Sequence, residues 1–560
     1  MFNNQFQFSK AMKAQIINLL KKYTKLKEIN LELPPSPELG DYAFPCFQLA
    51  KEEKKNPAEI AAKLAKQIKP TKGIEKVQAT GPYLNFFIDK TAQSQLILSS
   101  VLNPKVKKSK KKIVIESPGP NTNKPLHLGH LRNMALGISI KNIQEAVGNK
   151  AISVDIINDR GIHIAKSVMA YQLYGNNKKP NKKPDHFIGE FYVLFAKKAA
   201  ENPRLEEEAQ KLVQKYEAKD KKTLAIFKKM NTWAIQGFSQ TYRRVGMKIQ
   251  KAYLESQHYE KGKDIVLNGL KRKLFQKSTE GSIIAGLGDL GEKVLLRADG
   301  TSIYITQDLY VAIKRYQDFH MDKMVYIVGS EQIHHFKVLF KLLEMLGHKH
   351  AQNYFHLPYG MVYLPEGKMK SREGKVVDAD SLLDQMHSLA EKEIHKRYKH
   401  ISKKEVEKRS EIIAQSAIKF FLLKYDALKD FTFYPEKSIS FEGDTGPYIQ
   451  YTYARASSIL RKAKLFKPNY HFTEDIEYKI ILHLSKFQEI TREAAEKYKP
   501  HLIAHYSLEL AHLFNEFYHK YPVLTAEKTI KDSRLILVKA TKQILKTSLE
   551  LLGIKPLERM

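Results

Sequence analysis

The 560-residue sequence contains one cysteine, Cys46, which excludes an intramolecular disulfide framework and any zinc site built from several cysteines. That scarcity fits a reducing compartment. No window offers the roughly 18 unbroken apolar residues that a bilayer span requires, so membrane insertion through helices is not expected. The opening MFNNQFQFSKAMKAQIINLLKKY has no basic start followed by an apolar stretch and a small-residue cleavage site. A cytoplasmic location follows as an expectation. Acidic residues are also scarce, since Lys+Arg 94 against Asp+Glu 60 leaves a formal charge of +34. Such a surplus attracts a polyanion over much of the surface, although a lysine-rich genome alone yields basic proteins too. With 43% hydrophobic and 28% charged residues the composition is globular, and the length suggests about three domains.

Residues 1–104 mix helical and strand-like patterns and read as an α+β domain. A basic run, Lys105 to Lys112 (KVKKSKKK), then marks a boundary and reads either as a solvated linker or as a phosphate contact. From 112 to 385 short β-branched runs alternate with helical patterns. IVIE at 113–116, AISVDIIN at 151–158 and MVYIVG at 324–329 each precede a helical stretch, which predicts a Rossmann-like parallel sheet. From 386 to 560 strand signals fade and long amphipathic stretches dominate, so the last third is expected to be all-α. The fold class is therefore multidomain α/β.

The segment ESPGPNTNKPLHLGHLR, Glu116 to Arg132, places the HxGH tetrapeptide His127-Leu128-Gly129-His130 after a core strand, at the start of a helix. Imidazole N–H donors at a helix N-terminus can stabilise negative charge on the phosphates of ATP, and Gly129 would leave room for adenine against the backbone. Two histidines three apart on a helix can also be surface residues or metal ligands; no metal site is assigned. Farther on, GKMKSREGKVV (367–377) reads as a loop whose lysines can close over a triphosphate, or as an ordinary basic surface loop. The string Gly286 to Gly291 matches GxGxxG, but β signals and an Asp-Gly turn follow it, so it is assigned to a turn-rich β segment and not to a dinucleotide fingerprint.

HLGH followed about 240 residues later by KMKSREG resembles the two signatures of class I aminoacyl-tRNA synthetases. SPGPNTNKPLHLGHLR, INDRGIHIAKS and FEGDTGPYIQYTYARASSIL are similar to blocks of the arginyl-tRNA synthetase family. The resemblance implies an ATP-dependent arginine–tRNA ligase acting on tRNA(Arg), L-arginine and ATP with Mg²⁺ as the substrate complex. It implies no permanent cofactor, a monomer, and anticodon binding by the helical domain. The alternative is a catalytically impaired RNA-binding paralogue.

Carried over position by position, the resemblance places ATP at His127, Gly129 and His130, with Lys368, Met369 and Ser371 on the closing loop. Ser371 stands where the second lysine of the loop signature usually does, so Lys124 is expected to supply that charge, with Lys370 as a shifted substitute. Glu116, Asn121, Tyr304, Asp308 and Gln332 match the arginine pocket, and His163 is added to it. Acidic partners suit a guanidinium fork; for Asp308 a helix N-cap is the competing reading. Tyr83 and Asn85, in GPYLNFF, match the tRNA-elbow segment, against the reading of a strand of buried aromatics. Tyr448, Tyr451 and Arg455 are candidates for anticodon-loop bases, against the reading of a core stripe.

Overall fold

The computed structural model describes residues 6–560 apart from 27, 72, 105–107, 366–376, 399 and 464. At the N-terminus three antiparallel strands, β1 (Tyr42–Pro45), β2 (Ile74–Thr80) and β3 (Tyr83–Ile88), form a sheet in the order β1-β3-β2. The hairpin between β2 and β3 turns at Gly81, whose φ of +54° suits glycine. Helix Pro57–Gln67 packs on this sheet; Pro57 occupies its first turn, and the Asn56 side chain accepts from the Ala58 N–H at 2.9 Å.

The second sheet is built from β4 (Lys112–Glu116), β5 (Lys150–Ile157) and β6 (Lys251–Leu254). A small antiparallel sheet follows, made of β7 (Gln276–Lys277), β8 (Ile283–Gly286) and β9 (Glu292–Leu296). Then come β10 (Lys323–Gly329) and β11 (Tyr354–Tyr359), which complete a five-stranded parallel sheet in the order β11-β10-β4-β5-β6. Helices cover both faces of this sheet, so β4 and β10 read as apolar runs without alternation. GxGxxG falls on the β8–β9 hairpin, as its flanking residues suggested.

Chain order reverses between β4 and β10, and ligands of open parallel sheets gather at the carboxyl ends of strands at such a switch point. Four helices between β5 and β6, from Ile162 to Val245, rise over that end.

Two short strands, β12 (Val362–Tyr363) and β13 (Phe431–Thr432), join the sheet domain to the helical region. The helices Lys403–Leu423, Gly446–Ala463, Asp475–Ser485, Phe487–Lys497, Pro500–Lys520 and Lys528–Leu551 form the C-terminal third. This region packs directly on the helix after β4, Leu128–Ala146. Ser139 Oγ donates to the Leu551 carbonyl at 2.9 Å, and Gln144 Nε2 to that of Ala495 at 2.6 Å. No described helix is long and apolar enough to cross a membrane.

Arg132, 0% exposed, sits one turn into the same helix. Its guanidinium donates to the carbonyls of Ala427 and Lys429, each at 2.9 Å, to that of Asp426 at 3.3 Å, and to that of Gly360. The Phe431 ring lies 4.6 Å from its carbon. Arg132→Met would leave these buried acceptors unpaired and is expected to cost about 3 kcal/mol or more in urea unfolding. Lys520→Ala, which removes an exposed pair with Glu516, should leave the transition unchanged.

Candidate active site

The loops after β4 and β5 are laced together over the carboxyl end of the sheet. Asn158 N–H donates to the Pro120 carbonyl and Thr122 N–H to that of Asn158, both at 3.0 Å. Asn231, on the helix Lys221–Val245, accepts from Thr122 Oγ1 at 2.7 Å and donates to the Asp159 carbonyl at 2.7 Å. Asn133 joins the first loop to β10 by donating to the Ile327 carbonyl at 2.7 Å and accepting from Ser117 Oγ at 2.5 Å. The Asn121 backbone is thereby fixed beside Asn158.

The HxGH histidines form a reciprocal cap. His127, extended at φ −133° and ψ 176°, is the N-cap of helix Leu128–Ala146. Its Nδ1 accepts from the Gly129 N–H at 3.2 Å, while His130 Nδ1 accepts from the His127 N–H at 3.1 Å. A ring nitrogen that accepts carries no proton, so both imidazoles keep theirs on Nε2. Burial, the Lys124 ammonium and, for His130, its neighbour His127 push protonation down, to about 4 for His127 and well below the ordinary value for His130. The result is two neutral N–H donors at the positive end of a helix. Burial also lowers the Lys124 ammonium.

At Gly129 a Cβ would lie 3.0 Å from His127 Cε1 and 3.1 Å from its Nδ1, so any side chain there would crowd the imidazole.

Lys368, Met369, Lys370 and Ser371 lie outside the described residues, but the chain leaving that loop is fixed against the first motif. Leu128 N–H donates to the Val377 carbonyl at 3.1 Å, and Ala379 N–H to that of Leu126 at 2.9 Å. Asp378, between them, caps helix Ala379–Arg397 through the Ser381 N–H at 2.8 Å. His186, on the helix Pro184–Glu201, reaches Asp378 at 3.2 Å and Asp380 at 3.3 Å. Hydrogen bonds to those carboxylates raise the His186 imidazole to about 10. Against burial, His186 and Lys183 hold Asp380 at about 2. Asp185, His186 and Asp380 are close enough to hold a metal ion, yet the Lys183 ammonium already bridges the two aspartates at 2.7 and 2.9 Å. Sequence reading missed this cluster; the only signal was an N-cap aspartate directly after the loop.

A second, acidic group lies at the neighbouring strand ends. Glu116 ends β4, paired with buried Arg315, and the Asp308 charge reaches it. Asp308 and Tyr304 share helix Tyr304–Phe319, whose N-cap is Ile303, so Asp308 is not the cap. Asp308 Oδ2 meets His335 Nε2 at 2.6 Å. Burial lifts Asp155, on β5, to about 7 although Gly119 N–H and Tyr242 OH donate to it. Gln332 is exposed in the turn after β10. His163 Nδ1 meets the Tyr192 hydroxyl at 3.3 Å. Tyr192 lines a cavity of about 790 Å³ with Lys124, His127, Lys182, Phe191 and Lys197.

The remaining candidates are remote. Tyr83 meets exposed Phe47 edge-on at 5.7 Å, whereas Asn85 is 2% exposed in the central strand β3, where its side chain offers almost no surface. Arg455 lies 4.8 Å from the Tyr451 ring and 4.6 Å from Tyr518, beside a cavity of about 720 Å³. Tyr448 points elsewhere and meets His512 Nδ1 at 3.2 Å.

Three family profiles match in order: "Arginyl tRNA synthetase N terminal domain" over 7–88, "tRNA synthetases class I (R), catalytic domain" over 92–434, and "DALR anticodon binding domain" over 449–560. The sequence is 43% identical to an arginine–tRNA ligase of Treponema denticola, covering 95% of each chain. It is 40% identical to that of Borrelia hermsii, covering 97% of this chain and 96% of the other. Among solved structures, the Thermus thermophilus arginyl-tRNA synthetase superposes with a TM-score of 0.80 at 27% identity, over 99% of this chain and 100% of the other.

Two outcomes follow from this geometry. Gly129→Ala would press on the His127 ring and is expected to slow ATP-dependent amino-acid activation about 100-fold, read as ATP–pyrophosphate exchange. His186 is raised from 6.5 to about 10 on folding, so its contribution to stability is complete below pH 6.5 and is lost as pH rises towards 10. The melting-temperature gap between wild type and His186→Gln should therefore narrow from pH 6 to pH 10. A gap that stays constant would contradict a charged His186.

Proposed function

The chain belongs to the class I arginyl-tRNA synthetases and is an arginine–tRNA ligase, and on that premise we propose how its residues divide the work. Residues 1–104 meet the tRNA elbow, 112–385 perform the chemistry and 386–560 read the anticodon. The observation that carries the reading is the pair of neutral Nε2–H imidazoles at a helix N-terminus. His127 and His130 donate to the ATP phosphates, where negative charge grows as the arginine carboxylate attacks the α-phosphorus and pyrophosphate leaves. Remaining uncharged, they do so without holding the product as an ion pair. Mg²⁺ accompanies ATP as part of the substrate complex. Lys124, whose ammonium lies close enough to bias both rings, supplies the charge expected of the missing loop lysine, and Lys368, Met369, Lys370 and Ser371 close over the nucleotide.

Glu116 and Asp308 receive the cationic side chain of arginine, with Asn121, Tyr304 and Gln332 as further polar partners and His163 at the margin. A terminal ribose hydroxyl of tRNA(Arg) then attacks the adenylate carbonyl and AMP leaves. The cavity beside His127, with its lysines and rings, suits the single-stranded 3′ end. Tyr83 presents the elbow contact, and buried Asn85 supports it from within β3. Tyr451 and Arg455 border the cavity that takes an anticodon base, with Tyr448 on the neighbouring surface. The ligase acts as a cytoplasmic monomer, and tRNA must bind before arginine is activated.

Lys124→Ala is expected to reduce adenylate formation more than Lys370→Ala, measured as ATP–pyrophosphate exchange with arginine and tRNA present. The opposite ranking would move the charge-supplying role to Lys370. The same assay without tRNA should show almost no exchange; brisk exchange would remove the tRNA requirement.

A further inference from the structure

Arg315, like Arg132, is a basic residue enclosed away from water. It is 1% exposed, and its Nη1 pairs with the Oε2 of Glu116, itself 6% exposed. The guanidinium carbon lies 5.0 Å from the Tyr253 ring and 5.6 Å from Tyr326, so rings replace water around it. Tyr253 is in turn fixed by its hydroxyl, which donates to Asp318 at 2.8 Å. Arg315 and Asp308 stand seven residues apart on helix Tyr304–Phe319, two turns along one face, with Tyr304 one further turn towards the N-terminus. One helix thus carries Tyr304 and Asp308 towards the pocket and Arg315 beneath it, joined to the end of β4.

Glu116, Asp308 and Asp155 converge here, and Arg315 is the cation that acts on both Glu116 and Asp155. Without an internal counter-charge, a buried carboxyl among other carboxylates takes up a proton and loses its value as an acceptor for a cation. Burial raises the Glu116 carboxyl, and Arg315 opposes that rise. We propose that Arg315 is a positioning residue of the arginine pocket: it engages one oxygen of Glu116 and holds the other oriented towards the incoming substrate cation. Arg315 does not touch substrate; it acts through Glu116. The inference rests on the assignment of Glu116 to the arginine pocket.

The test is steady-state aminoacylation by the full-length enzyme with tRNA(Arg), varying arginine and ATP separately. Arg315→Met is expected to raise KM for arginine at least tenfold, while kcat at saturating arginine and KM for ATP change less than threefold. Arg315→Lys, which restores the charge, should recover most of the loss. In a Glu116→Gln background, Arg315→Met should add little, because the carboxylate through which it acts is already gone. KM values for arginine and ATP that rise together, or effects of the two substitutions that multiply independently, would overturn the role. If Arg315→Met does not fold, Arg315→Gln, which removes the charge but keeps a polar group, takes its place: a KM rise confined to arginine and absent from the Glu116→Gln background supports the role, and any other pattern overturns it. Failure of the pocket assignment reads differently, since Glu116→Gln alone would then leave KM for arginine unchanged.

Discussion

Arg132 holds a full positive charge where water does not reach, and the chain answers it with carbonyls from Gly360 and from the turn Asp426 to Lys429. Those acceptors lie 228 to 297 residues downstream, so the guanidinium can be satisfied only when the sheet and the helical region are already in register. The same helix begins at His127, is tied to β10 by Asn133, and carries Ser139 and Gln144 into the C-terminal helices. One rigid element therefore fixes the paired histidines to the region that matches an anticodon-binding domain. Its position is over-determined by buried polar groups that each need a partner.

The site places two opposite electrostatic solutions a few residues apart. At the helix N-terminus the imidazoles stay neutral because burial and Lys124 disfavour a second positive charge. At the strand ends carboxylates collect, burial raises the Glu116 carboxyl, and the internal Arg315 guanidinium opposes that rise. The Asp378 segment joins the first region to the helices above it, through a protonated His186 and the Lys183 ammonium.

Much of this was legible in the sequence because its causes are local. The runs at 113–116, 151–158 and 324–329 became β4, β5 and β10, since strands covered on both faces must be apolar without alternation. HLGH announced the helix start, and GxGxxG, read as a turn-rich β segment, lies at the β8–β9 connection. Long-range relations left no such trace. Nothing in the spacing of His186 and Asp378 says that an insertion helix returns to clamp the chain leaving the loop. Arg315 looks like any of the 94 basic residues until Tyr253, Tyr326 and Glu116 close around it. Asn85 falls in a pattern that suits either a contact or a core, and only the sheet order, with β3 central, decides its burial.

The acidic group at the strand ends sits within a chain of formal charge +34, so a polyanion and a small cation meet fields of opposite sign on one molecule. In physiological salt, electrostatic influence fades over about 8 Å. A polyanion large enough to lie along the surface meets many basic residues at short range and is held by the sum of many weak attractions. A small cation close to the strand ends samples only the carboxylates beside it. The two fields are thereby separated by the area each kind of partner covers, and neither has to be weakened to accommodate the other.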